Sequence, residues 1–391
     1  MSEFIPLSVP HIRAGEMAYV KECLESEWVS SAGPFVDRFE KEFAAYVGAP
    51  YAVACSSGTA ALHVSLLLAG VKPGDLVLVP TLTFIASVNA IHYCGAEPFF
   101  FDCDEHYNLD PAQVSLFLHQ DCERRGDTLF HRLSGKRVSA ILPVHIFGNA
   151  ANLEPLLEAA EEFSVPVVED AAESLGTRYL PKSGRRTGGK HTGTLGLLGC
   201  FSFNGNKIIT TGGGGMIVTN SESLARRAKY LTTQAKDDEA RFVHHEIGFN
   251  YRLTNVQAAI GLGQLETMTK CKSRKAQIFV SYQKGLAGVS GLRLGVLPEY
   301  AENNLWMPCL QIDAEAYGED REELMQRLGA AKIQARPVWE LNHRQRPYRE
   351  YGRMPTERAE RLHRITLNIP CSVGLSGENQ ARVVEELRDG R

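Results

Sequence analysis

Seven short, nearly continuous apolar runs, separated by helix-like stretches, constrain this chain more than any other feature of its sequence. The runs are Ala52 to Cys55, Leu76 to Val79, Pro98 to Phe101, Ser139 to Val144, Pro166 to Glu169, Cys200 to Phe203 and Met216 to Thr219. A strand with one wet face alternates apolar and polar residues, whereas a run without alternation needs cover on both faces. Amphipathic segments such as Pro111 to His119 and Leu153 to Phe163 lie between the runs and can supply that cover. The pattern predicts an α/β fold with a largely parallel central sheet between helical layers. Sites in such folds gather at the carboxyl ends of the strands.

The pattern changes after Thr254, where a long helical region runs to about Leu286. A smaller mixed segment follows, including Leu305 to Ile312, Ala331 to Pro337 and a final helix from Ser376. This predicts a large domain over residues 1–253 and a smaller C-terminal α+β domain over residues 254–391, with Asn255 to Met268 able to bridge the two. A chain of 391 residues with 44% hydrophobic content is long enough for both. The polar insert Asp121 to Arg137 is expected to be a surface excursion.

Several function classes fall away on charge and composition. A net charge of −4 leaves no basic footprint for nucleic acid. The start of the sequence has no basic segment leading into an apolar one, and the most apolar stretch, Ala60 to Val71, is broken by His63 and Ser65, so neither secretion nor membrane spanning is expected. Nine cysteines without a Cys-x-x-Cys pair point to free thiols in a reducing cytoplasm. His244 and His245 lack partners at zinc spacing, and no metal site is expected. The segment from Gly184 to His191 has the glycine and lysine spacing of a phosphate-binding Walker loop, but histidine stands where the magnesium-binding hydroxyl belongs.

The chemistry concentrates at three places that follow or close strand runs. Lys207 sits in Ser202-Phe203-Asn204-Gly205-Asn206-Lys207, between a short apolar strand and a loop that runs into Gly212 to Gly215. Such a lysine is a candidate Schiff-base former. Asp170 closes the run from Val165, where an ionised carboxylate is costly. Ser57-Gly58-Thr59 lies between the strand from Ala52 and an apolar helix, and reads either as an anion cradle or as an ordinary helix cap. Pyridoxal phosphate needs an amine to capture its aldehyde, an acid to keep its pyridine nitrogen protonated and a cradle for its phosphate. The three places match those needs.

These residues, with Trp28-Val29-Ser30-Ser31, Pro80-Thr81-Leu82-Thr83-Phe84, Glu169-Asp170 and Gly248-Phe249-Asn250-Tyr251-Arg252, resemble the DegT/DnrJ/EryC1/StrS sugar aminotransferase family. The resemblance spans nearly the whole chain. It implies a three-layer, aspartate aminotransferase-like fold of fold-type I, with Lys207 carrying pyridoxal 5′-phosphate and Asp170 partnering its ring nitrogen. Phe84 would stack on the ring, Gly58, Thr59 and Ser202 would hold the phosphate beside Ser57, and Glu173 would lie near the ring. Asn250 would reach the cofactor of a neighbouring subunit, which implies a homodimer with shared active sites. Lysine in place of the histidine of related dehydratases favours amino transfer, with the cofactor cycling through pyridoxamine 5′-phosphate.

Substrate choice rests on shorter stretches. Ala335-Arg336-Pro337-Val338-Trp339 and its continuation through His343 to Tyr348 mix guanidinium groups with aromatics, which suits a pyrophosphate and a flat base. Ala335 to Trp339, with Ile5 to Pro10, Trp28 to Ser31 and Pro80 to Ala86, looks like the LegC-type branch, which implies transfer from L-glutamate to C4 of a UDP-linked 4-keto-6-deoxy-N-acetylhexosamine. GDP-perosamine synthases are the alternative within the family, and a non-catalytic cofactor-binding regulator is the alternative outside it. Trp28, Ser30, Lys190, His191, Arg336 and His343 are the candidate substrate contacts. Asn342 departs from the branch pattern, in which a leucine is expected before His343.

Overall fold

The computed structural model describes residues 3–13, 15–181, 186–238 and 240–389. All seven apolar runs form strands: Tyr51–Cys55, Leu76–Pro80, Glu97–Phe101, Val138–Ile141, Val168–Asp170, Leu198–Ser202 and Gly215–Thr219. Glu97–Phe101, Leu76–Pro80 and Val138–Ile141 pair in parallel, as do Val168–Asp170 and Leu198–Ser202. Parallel bridges from Ile141 to Val167 and from Val144 to Asp170 join the two groups into one sheet. The junction is thin for a covalent reason. Pro143 and Pro166 have no N–H to give to a ladder, so the runs predicted from Ser139 to Val144 and from Pro166 become strands only to Ile141 and from Val168.

Gly215–Thr219 alone runs the other way, antiparallel to both Leu198–Ser202 and Tyr51–Cys55. A parallel return needs a crossover, usually a helix, whereas Ser202 and Gly215 are joined by a loop with no helix in it. The loop closes on itself through Phe203 N–H to the Gly214 carbonyl (2.9 Å) and Thr211 N–H to the Phe203 carbonyl (3.0 Å). The reversal therefore leaves this loop, and Lys207 on it, at the carboxyl end of the neighbouring strands.

Side chains alternate between two cores as the pleat requires. Val53, Cys55 and Ile217 pack with Leu62, Val64, Val88 and Ile91 on one face, while Ala54, Met216 and Val218 pack with Phe39, Phe43, Phe201, Phe203 and Leu262 on the other. Helices Gly58–Leu68, Ile85–Tyr93 and Glu222–Thr232 cover the first face, and Pro34–Val47 with Asn255–Glu266 the second. The close approach of Asn255–Glu266 needs glycine, since a Cβ on Gly261 would meet the Phe39 ring at 2.7 Å. The insert after Asp121 folds into a hairpin, Cys122–Arg125 with Thr128–His131.

The helical region predicted from Thr254 is two helices, Asn255–Glu266 and Met268–Gly285. The C-terminal sheet is antiparallel, in the order Leu292–Leu294, Cys309–Ile312, Thr366–Asn368, Arg336–Pro337. It shares a core with Ile278, Tyr282, Leu324, Leu328, Val383 and Leu387, and Ile5 joins that core while bridging Ile333. A division of the chain near residue 254 is thus a proposal about folding units. Packing is continuous across Thr267, since Met268 and Cys271 share a core with Leu262 and Leu265 and with Trp306 and Met307 farther on. All nine cysteines are free and buried. Among the described residues no helix is long and apolar enough to cross a membrane.

Phe43 is fully buried and meets Phe39, Phe201 and Phe203 at ring-centroid distances of 6.0, 5.1 and 5.4 Å. Phe43→Ala should lower unfolding free energy by about 3–5 kcal/mol in a urea titration. Leu133→Ala, at a residue 92% exposed in the turn that follows the hairpin, should change it by less than about 0.5 kcal/mol.

Candidate active site

A cavity of about 220 Å³ opens at the carboxyl ends of the sheet strands. Its polar groups come from strand ends, from the turns that follow them and from the first turns of the helices Gly58–Leu68 and Ile85–Tyr93. Helix Gly58–Leu68 begins there with Ser57 as its cap, the Ser57 hydroxyl accepting from Ala60 N–H at 3.0 Å. A cap of this kind leaves the first amides of the helix facing the cavity, where they favour an anion. Gly58 permits the approach of Ser202, because a Cβ on it would meet the Ser202 side chain at 2.7 Å.

Asp170 ends its strand with only 4% of its surface exposed. Its Oδ2 accepts from the Ser87 hydroxyl at 2.6 Å and its Oδ1 from Ala172 N–H at 3.0 Å. Burial pushes its pKa up, against the opposing pull of these donors and of Lys207. Glu169, next to it, serves the opposite side of the strand. It accepts backbone N–H groups of Gly193, Leu195 and Gly196 and lies 2.9 Å from His145 Nε2, tying strand to loop.

Lys207 Nζ donates to Glu173 Oε1 at 3.1 Å and lies 4.4 Å from the centroid of the Trp306 ring. Glu173 Oε2 accepts from Phe147 N–H at 2.8 Å. Burial raises the Glu173 pKa too, and the Lys207 ammonium is the main opposing influence. Phe147 makes its contact from a left-handed conformation, φ 55°, which costs a non-glycine residue energy and collects at working sites. Phe84 caps helix Ile85–Tyr93 with its ring 49% exposed, 5.7 Å from Trp339. Trp339 in turn stacks on Phe147 at 5.0 Å.

Of the residues singled out in the sequence, Ser57, Gly58, Thr59, Phe84, Asp170, Glu173, Ser202 and Lys207 all line this one cavity. Asn250 does not. It is exposed, bridged to Thr233 on the surface. Trp28 and Ser30 are exposed, and their carbonyls accept from Asn255 at 2.7 and 2.6 Å. Lys190 and Arg336 are exposed outside the cavity lining. His191 is fully buried, with Nδ1 on the Thr192 carbonyl at 2.6 Å and Nε2 accepting Gly176 N–H at 2.7 Å. Both ring nitrogens are therefore occupied within the fold, and burial lowers its pKa to about 3. His343 is 6% exposed, 2.6 Å from the Thr81 hydroxyl. Gly184 and Arg185 of the Walker-like segment lie outside the described residues.

Thr83, Ser87, Asn204, Asn206, Gly213, Gly214 and Trp339 also line the cavity without having been proposed as contacts, beside the apolar Leu62, Ala86, Val144 and Ala172. Ser87 reads as an unremarked serine in an apolar helix, and only the fold brings it to Asp170. Trp339 stood within the quoted aromatic and basic stretch. Asn342, the departure from pattern, is buried and donates from Nδ2 to the carbonyls of Thr81 (3.1 Å) and Thr83 (2.7 Å), tying the stretch around Trp339 to the loop that carries Phe84.

The chain belongs to the DegT/DnrJ/EryC1/StrS aminotransferase family, whose model matches residues 10–388. It is 37% identical to the GDP-perosamine synthase of Caulobacter vibrioides, over 98% of this chain and 97% of that one. It is equally 37% identical to the putative pyridoxal phosphate-dependent aminotransferase EpsN of Bacillus subtilis, over 99% and 96%. Among solved structures, DesI in the presence of its TDP-sugar product superposes with a TM-score of 0.86 at 27% identity, covering 99% of this chain and 93% of that one. The fold is that of the fold-type I enzymes, and the protein is a pyridoxal phosphate-dependent sugar aminotransferase.

The buried carboxylate has a stability signature. A raised carboxyl pKa means that the folded state binds the proton more tightly than the unfolded chain, so stability falls as pH rises from the ordinary carboxylate range through the raised one. Asp170→Asn in the cofactor-free protein should therefore melt above the wild type at pH 7. The difference should close as pH drops through that window in a series of thermal melts.

Proposed function

We propose that this protein transfers an amino group from L-glutamate to C4 of a nucleotide-linked 4-keto-6-deoxyhexose, with Lys207 as the group that moves protons. The observation that carries the reading is the meeting of Lys207 Nζ and Glu173 Oε1 at 3.1 Å in the cavity that also holds the buried Asp170 carboxylate. The residues fit pyridoxal phosphate on structural grounds. Ser57, Gly58, Thr59 and Ser202 form a cradle at a helix N-terminus, Phe84 is half-exposed, and Asp170 offers a buried carboxylate held by the Ser87 hydroxyl and Ala172 N–H.

When bound, pyridoxal phosphate supplies an electron sink for the carbon that loses its proton. The rest is work for side chains. Lys207 would hold the cofactor at rest; once free, its Nζ would take the proton from the α-carbon of glutamate and, in the return half, give one to C4 of the sugar. Glu173 balances the ammonium that forms. Asp170 would keep a proton on the ring nitrogen, with Ser87 and Ala172 N–H fixing the orientation of its carboxylate. Phe84, Trp339 and Phe147 wall one side against water.

For the nucleotide, two readings compete. The short motifs favour a UDP-linked N-acetylhexosamine. The likeness to GDP-perosamine synthase over 390 residues favours a GDP-linked sugar, and we place it first because it draws on the whole chain and not on stretches that include the Asn342 departure. Asn250, exposed beside Ile247 at 87% and near Phe242 at 70% exposure, fits a role across a homodimer interface.

Purified enzyme incubated with L-glutamate and either GDP- or UDP-linked 4-keto-6-deoxy sugar should aminate the GDP form at C4, with product identified by NMR. Preference for the UDP form would replace the first reading with the second, and turnover of neither would reject both. Lys207→Ala should lose about a thousand-fold in kcat and Asp170→Asn roughly a hundred-fold. Mixed Lys207→Ala and Asn250→Ala subunits should recover activity that neither variant has alone. Failure to do so would remove the shared-site proposal.

A further inference from the structure

We infer that Trp306 is a positioning residue for the proton transfers at Lys207: its indole face holds the released amine beside Glu173. The inference rests on the role proposed above for Lys207. Trp306 comes from the C-terminal half of the chain and is 1% exposed. Its ring centroid lies 4.4 Å from Lys207 Nζ, and its Nε1–H donates at 2.8 Å to the carbonyl of Asn206, the residue before Lys207. One side chain thus grips both the tip of the lysine and the backbone from which it springs.

The surroundings also fix the backbone that carries this side chain. Trp306 N–H donates to Asn304 Oδ1 at 2.9 Å, while Asn304 Nδ2 donates to the carbonyls of Glu173 and Leu175 at 2.8 and 2.9 Å. The Trp306 carbonyl accepts from Lys275 Nζ at 3.0 Å and from the Cys371 thiol at 3.1 Å. Lys275 is itself only 2% exposed and also donates to the Cys371 carbonyl at 2.6 Å, so a buried ammonium is spent on fixing this backbone. Between Asn304 and Trp306, Leu305 is left-handed at φ 55°, a conformation that persists only where neighbours impose it. The segment registers Glu173 against Lys207.

The chemistry explains why an aromatic face suits the position. A carboxylate beside Nζ stabilises the ammonium but also competes for its proton. An indole face attracts the cation through its quadrupole and has no basic site to take the proton. Glu173 and Trp306 together keep a free lysine in place while leaving it able to pass its proton on.

The test uses holoenzyme carrying Trp306→Phe or Trp306→Met, assayed with ordinary and 2-deuterated L-glutamate. Met should lower kcat about tenfold, leave both KM values within about twofold and enlarge the primary deuterium isotope effect, because the proton transfer becomes slower relative to other steps. Phe, which keeps a ring but loses the Nε1–H bond, should stay near the wild-type isotope effect. In cofactor-free protein, modification of Lys207 by trinitrobenzenesulfonate, read by peptide mass, should be faster in Met than in Phe. An unchanged isotope effect in Met, or equal effects in Met and Phe, overturns the inference. Should Met fail to fold, Phe decides alone: an isotope effect raised well above wild type overturns it. Lys207→Ala separates the two levels. Its retained turnover would remove the role of Lys207 itself, whereas its loss beside a Met variant with wild-type behaviour removes only that of Trp306.

Discussion

Two buried carboxylates facing one ammonium is the constraint around which the rest of this structure is arranged. Asp170 and Glu173 are both raised in pKa by burial, and Lys207 opposes the rise in each. Taking carboxylates out of water costs more than one cation returns, so the remaining lone pairs must be met by donors. They are met by Ser87, Ala172 N–H and Phe147 N–H. Each donor sits on a different element, which makes the site a point where the helix after the second strand, the turn after Asp170 and the strained segment at Phe147 must all agree. A cofactor that brings its own positive ring nitrogen and anionic phosphate would complete that balance, with the phosphate falling to the helix cap at Ser57.

The sheet makes this convergence possible through its one reversed strand. Parallel strands all deliver their carboxyl ends to the same edge, and Ser57, Phe84, Asp170 and Lys207 follow or close four of them. A further helical crossover between Leu198–Ser202 and Gly215–Thr219 would place a rigid element where the lysine loop now lies. The tight antiparallel return keeps that loop at the edge, closed by Phe203 and Gly214.

Much of this was legible in the sequence because the relevant signals are local. An apolar run followed by a polar residue marks a strand end, and parallel topology turns several strand ends into one place without any contact needing to be known. That logic brought Ser57, Asp170 and Lys207 together and located all seven strands. It failed where position depends on packing across the chain. His191 closes a glycine-rich, Walker-like stretch and reads as a substrate contact, but its imidazole is claimed by Gly176 and Thr192 in the interior. Trp306 and Asn304 reach the site from beyond residue 300, and nothing in their own neighbourhood announces a contact with Lys207. The prolines at 143 and 166 trimmed strands whose apolar pattern ran on past the last available N–H.

The division of labour within the site follows from where its parts come from. The groups that face the reacting atoms rise from the sheet edge, where geometry is set by a ladder of backbone bonds. The groups that fix how these are used come from the C-terminal half: Trp306 and Asn304 on the lysine and glutamate, and the stretch carrying Trp339 on the ring of Phe84. That stretch is fastened by Asn342 to the carbonyls of Thr81 and Thr83 and by His343 to the Thr81 hydroxyl, not by apolar packing alone. Directional bonds fix orientation where a leucine would fix only distance, so the departure at Asn342 locks the aromatic wall to the loop that carries Phe84. The stretch also shares a core with the sheet edge, Val338 and Leu341 packing in one cluster with Leu82, Val144 and Phe203, so these hydrogen bonds set orientation within a contact that burial already holds.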